Sequence, residues 1–120
     1  TLNKGLKMDN QNTTKETATE TTKFSFGVAL KLLADGARVS RHGWNGKGMF
    51  LLMAGGYTVK AEQLRAGGPI SPEFLASRGL DEMYIQPHID MWTAQNVYQT
   101  GWLASQSDML AIDWYVVDQL

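Results

Sequence analysis

The chain has 120 residues, 43% of them hydrophobic and 10% aromatic, with a formal net charge of −1 and no cysteine. That size suits one core and leaves no room for a second domain, and the longest apolar run, Met49–Ala54, falls far short of the roughly 18 residues of a membrane-spanning helix. The near-neutral charge argues against sequence-independent binding of DNA or RNA, which draws on many cationic contacts to phosphate, and the missing cysteine removes disulfides, thiolate metal sites and a cysteine nucleophile.

Residues 1–23 are nearly all polar and rich in threonine. They hold too little apolar surface to offset the entropy of ordering and are read as a disordered tail. Met8 is a candidate natural start, which would make Thr1–Lys7 an addition from expression, and no secretory signal is recognisable. An intracellular protein with no membrane partner is therefore expected. Residues 24–120 form the expected folded domain.

Ser25 is an apt N-cap for Phe26–Asp35, where Phe26, Ala29, Leu30 and Leu33 recur at helical spacing and Gly36 marks the end. Ala37–His42 alternates as a strand does, and the glycine-rich turn 43–48 leads into the apolar strand Met49–Ala54, so a β-hairpin is predicted. Glycines and Pro69 bound a stretch at about 57–80 read as a loop insertion, with one short helix at most, capped by Ser71 and opened by Pro72. Glu82–Trp92 reads as a strand with an edge or bulge at Pro87. After a Gln95-Asn96 turn come a return strand, Val97–Gly101, a helix Gln106–Ala111 capped by Ser105, and a last strand Asp113–Val117. The fold class is α+β: a small antiparallel sheet packed with an N-terminal helix and short additional helices, in a single domain.

The common enzyme templates are absent: the dinucleotide and phosphate glycine loops, the HExxH zinc helix and the GxSxG nucleophile elbow. His88 and Asp90 point the same way along a strand, but a lone pair with only one further histidine in the chain and no cysteine to complete a shell is a weak metal signal, and a polar sheet face or an interface hydrogen bond explains it as well. Ser105, Ser107 and Asp108 are better read as helix cap and first turn than as a nucleophile arrangement. No catalytic residue, metal or cofactor is expected.

Aromatic residues with polar neighbours remain. Trp44 lies in a glycine-rich turn flanked by Arg41, His42, Asn45 and Lys47, and Trp102 precedes the helix start at Ser105 and Gln106. Rings beside such donors suit a ligand with a flat π face and an anionic group, since bases stack on tryptophan and phosphate oxygens accept from helix-terminal amides. The alternative is that both rings serve packing, as assigned to Trp92 and Trp114.

The motifs VSRHGWNGKGMFL (39–51), PHIDM (87–91) and GWLASQSDMLAIDWYVV (101–117), after an amphipathic helix ending in glycine, resemble the small phage proteins of the type two Thoeris anti-defence family. The resemblance implies a sponge in the cytoplasm of an infected bacterium, which sequesters cyclic ADP-ribose isomers, and in some members cyclic dinucleotides, without cleaving them. It implies a homotetramer with pockets near subunit boundaries. It further implies that Trp44 and Trp102 stack on or enclose the base, that Asn45, Ser105, Gln106 and Asp108 hydrogen-bond the ligand, and that Arg41 and Lys47 are the nearest cations for phosphate. The long tail and residues 57–80 depart from the family's compact pattern. Rival readings are a phosphodiesterase acting on the same signals, a carbohydrate-binding module, and a structural phage protein.

Overall fold

The computed structural model describes residues 22–117; the predicted tail lies almost wholly outside them. The described chain falls into two compact units, residues 22–52 with 90–117 and residues 53–89. The architecture is α+β.

In the first unit, helix α1 (Phe26–Ala34) begins at Ser25, whose Oγ accepts from the Val28 amide, and ends at Asp35 with Gly36 following at φ 95°. It buries Ala29 and Leu33, four residues apart on one face, and packs against strands β1 (Val39–Arg41) and β7 (Trp114–Val116) and helix α3 (Gln106–Leu110). Burying a leucine such as Leu33 contributes about 1.5–3 kcal/mol. Strand β1 pairs antiparallel with β2 (Phe50–Ala54) through Val39 and Leu51, as the hairpin prediction requires, and on its other side with β7, setting Arg41 opposite Trp114.

Strand β5 (His88–Trp92) pairs with the short β6 (Tyr98–Gln99), and the full sheet order is β6-β5-β2-β1-β7. At the outer edge of β7, Phe24 exchanges two backbone hydrogen bonds with Trp114, at 2.9 and 3.1 Å. Ala29, Leu33, Val39, Leu51 and Trp114 are completely buried.

The second unit corrects two expectations. Residues 57–80 contain more than one short helix: strand β3 (Tyr57–Lys60) and a 3-10 helix (Ala61–Gln63) precede helix α2 (Pro72–Ser77), which Ser71 caps as predicted. The predicted strand Glu82–Trp92 is two strands. Its first part, β4 (Glu82–Ile85), pairs with β3 in a separate two-stranded sheet, whereas its second part is β5 of the larger sheet. Gln86 and Pro87 form the break, where proline lacks the N–H that a continuous ladder needs. The predicted return strand also shortens to Tyr98–Gln99, because Asn96 turns the chain at φ 64° and Gly101 turns it again at φ 81°.

Candidate ligand-binding site

The two tryptophans singled out in the sequence come together. Trp44, in the turn after β1, and Trp102, in the segment before α3, lie with ring centroids 6.2 Å apart at 62°. Both are half-buried. Beneath them, the fully buried Trp114 presents itself edge-on to Trp44 at 5.4 Å and to Trp102 at 6.2 Å. Phe26, from the first turn of α1, closes the cluster against Trp102 and Trp114 at 6.2 and 5.4 Å. Phe26 was read only as part of a helix face, since a lone aromatic at an apolar position carries no sign of what it packs on.

Clasping one base between two rings requires them parallel and about 7 Å apart, twice the van der Waals contact distance. Trp44 and Trp102 meet edge to face instead. They can offer a flat ligand one ring face to stack on and a second ring at its rim.

An ionic network fixes the polar side of this cluster. Arg41 Nη1 donates to Asp108 Oδ1 at 2.7 Å, and Arg41 Nε donates to Asp113 Oδ1 at 2.8 Å. The same Asp108 oxygen accepts from Trp44 Nε1 at 3.1 Å, while Asp108 Oδ2 accepts from the Ser105 amide at 3.0 Å. Ser105 Oγ in turn accepts from the Asp108 amide at 3.0 Å, closing a capping box on α3. Arg41 and Asp108 thus spend their charge on each other, and the five-residue α3 already carries a carboxylate in its first turn. The helix start predicted to receive a phosphate is therefore occupied by an anion of the protein's own. Asn45, Lys47 and Gln106 are exposed, and their side chains make no hydrogen bond or ion pair among the described residues. Lys47, rather than Arg41, is the cation with its charge available.

Hydrogen bonding from Arg41 chiefly holds the Asp113 carboxyl below its ordinary range, against some desolvation. For Asp108, burial pushes the carboxyl up, but the donors from Ser105, Arg41 and Trp44 outweigh it and the net shift is also downward. Groups depressed in the folded state stabilise it fully above their unfolded pKa, about 3.9 for aspartate, and lose that contribution as pH falls through the lowered folded values. Stability to urea is expected to hold from neutral pH to about pH 5 and to fall below pH 4, with a shallower fall in Asp113→Asn. Parallel acid profiles for the two proteins would show that Asp113 is not one of the groups responsible.

Asp113 was read as a strand start and nothing more. Asp90, weighed as a partner of His88, is 1% exposed and accepts from Tyr98 Oη at 2.6 Å and from the Gly101 amide at 2.7 Å. Among the described residues no group of three or more His, Asp or Glu side chains is placed to hold a metal, and no helix is long and apolar enough to cross a membrane.

Residues 24–117, which carry this whole arrangement, match the family model of the Thoeris anti-defense 2-like domain. The chain belongs to this family. It is also 37% identical, over 98 residues, to a protein of Bacillus phage SP01 named Thoeris anti-defense 2, an alignment that covers 80% of this chain and 97% of the relative. Membership in the Thoeris anti-defense 2-like family supports a phage anti-defence role.

Proposed function

We propose that this protein captures cyclic nucleotide-derived immune signals, cyclic ADP-ribose isomers or cyclic dinucleotides, and holds them uncleaved in the cytoplasm of an infected bacterium. The observation that carries this reading is the half-exposed pair Trp44 and Trp102, with Asn45, Lys47 and Gln106 exposed and uncommitted in the flanking segments. A base stacks on one ring, the three polar side chains supply contacts to sugar and phosphate, and Lys47 provides the charge. Low-nanomolar capture needs about −12 kcal/mol. Stacking supplies about 1–3 kcal/mol per base, so charge-assisted hydrogen bonds and a site formed in advance must supply the rest.

Sequestration is favoured over cleavage by the state of the nearby acids. Asp108 and Asp113 are held ionised by Arg41 and by N–H donors, which makes them poor proton donors and weak bases near neutral pH. Self-association is part of the proposal. Leu103, Leu110 and Ile112, on and around α3, are 92%, 77% and 77% exposed, apolar surface of the kind a second copy covers. Light scattering should give a multiple of the chain mass, with four copies as the expected state, and a monomeric mass would remove this part.

The test is to incubate the purified protein with cyclic ADP-ribose isomers and cyclic di- and trinucleotides, wash, heat and assay what is released. Intact ligand is expected. A cleaved product would make the protein an enzyme, and no retention would return the tryptophans to packing alone. Alanine at whichever of Trp44 and Trp102 carries the base should weaken retention about 5- to 150-fold, the equivalent of one lost stacking contact, and alanine at the other, which meets the ligand at its rim, should weaken it less; unchanged binding in either variant would remove that ring from the site.

A further inference from the structure

Each of the paired tryptophans follows a glycine, and each of those glycines donates its backbone N–H to a carboxylate at the same short distance. The Gly43 amide donates to Asp113 Oδ2 at 2.7 Å, and the Gly101 amide donates to Asp90 Oδ1 at 2.7 Å. A charged acceptor at this distance makes a strong bond to a backbone group, and here the bond lies one residue before the ring.

Both glycines are demanded by this arrangement. A Cβ on Gly43 would sit 2.8 Å from Asp113 Oδ2, inside any real contact, and Gly101 has φ 81°, a conformation that L side chains rarely adopt. Neither carboxylate is isolated: Asp113 is tied through Arg41 to Asp108, which receives the Trp44 indole N–H, and Asp90 is tied to the Tyr98 hydroxyl. Trp44 is thereby held at both ends, backbone and ring. Trp102 is held at its approach from the chain.

We propose that Asp113 and Asp90 are positioning residues of the ligand site, each setting the direction of one tryptophan through the glycine amide before it while touching no ligand. This rests on the reading of Trp44 and Trp102 as the stacking surface. Rings fixed before binding spare the complex the entropy of ordering them, which is where a sequestering protein gains affinity without adding contacts.

Asp113→Asn is the decisive variant. Asparagine keeps the shape but replaces one oxygen with an NH2 group, so in either flip an N–H is turned toward the Gly43 amide or toward Arg41 Nε. Without ligand, the Trp44 indole N–H resonance and the near-ultraviolet circular dichroism of the cluster should shift while far-ultraviolet dichroism stays unchanged. Affinity for the cyclic ADP-ribose isomer retained by the wild-type protein should fall by up to about tenfold, the cost of ordering one freed side chain on binding. In a Trp44→Ala background the same substitution should cost nothing further.

Asp90→Asn should act likewise on the Trp102 signal alone. If either variant is too unstable, Gly43→Ala and Gly101→Ala disturb the same two bonds from the other side and should shift the same resonances. The proposal is overturned by unchanged indole resonances, or by an affinity loss equally large with and without Trp44, which would make Asp113 a direct or merely structural contributor. Should the wild-type protein retain no cyclic nucleotide, the sequestration reading fails, while the ligand-free spectra still decide whether the carboxylates orient the rings.

Discussion

Asp108→Ala is expected to lower the unfolding free energy by about 3 kcal/mol, the low end of the cost of breaking a buried ion pair by removing one partner. The carboxylate is 11% exposed and receives Arg41, the Trp44 indole and the Ser105 amide. Alanine leaves three donors facing a void that only limited solvent can reach, and the guanidinium, itself 15% exposed, keeps a single carboxylate in place of two. Asp108→Asn separates the contributions. Its remaining oxygen can still accept from Arg41 and Trp44, while its NH2 group opposes the Ser105 amide and opens half of the capping box, a loss of about 1 kcal/mol.

Urea unfolding with equal slopes for the variants would give the two differences directly. Equal losses would show that the ion-pair charge dominates, and a loss for alanine below that for asparagine would mean that water replaces the carboxylate at no cost. Ligand capture should weaken in the alanine variant as well, since Trp44 loses the acceptor of its indole N–H.

What could be read from the sequence divides by the range of the interactions. The three helices were legible because each announces its start locally: Ser25, Ser71 with Pro72, and Ser105 accept from amides three residues on. The hairpin of β1 and β2 was legible from two short apolar runs around a glycine turn. Strand β3 was missed because its partner β4 lies beyond a helix and a loop, so that Thr58 faces Tyr84 without any local sign of the pairing.

The site divides in the same way. Trp44 and Trp102 stood out through the polar residues beside them, but Arg41 meets Asp108 and Asp113 across 67 and 72 positions. Such contacts leave no period and no spacing in the chain. The same distance hides from the sequence that Arg41 is paired within the protein, to Asp108 and Asp113. A basic residue next to an aromatic turn looks the same whether it serves a ligand or the protein itself, until its carboxylates are found.

Trp114→Ala should be the most damaging single change, at about 3–5 kcal/mol, the usual range for truncating a buried large aromatic. Trp114 has no exposed surface, its indole N–H donates to the Asp108 carbonyl at 3.0 Å, and three other aromatic rings lie within 6.2 Å of it. Its backbone also stands between Phe24 and Arg41 in the sheet, a contact that the substitution leaves in place, so the loss measured belongs to the ring. Trp44 and Trp102 both rest edge-on against that ring, and removing it frees them to turn. The alanine variant should therefore lose near-ultraviolet dichroism and ligand capture together, even under conditions where far-ultraviolet dichroism reports a folded chain. Trp114→Phe restores an aromatic wall but not the donor to the Asp108 carbonyl, and should recover capture while remaining about 1–2 kcal/mol less stable than the wild type. Full capture by the alanine variant would mean that the two outer tryptophans are oriented by their glycine amides and the Asp108 network alone, and that Trp114 contributes to stability without shaping the site.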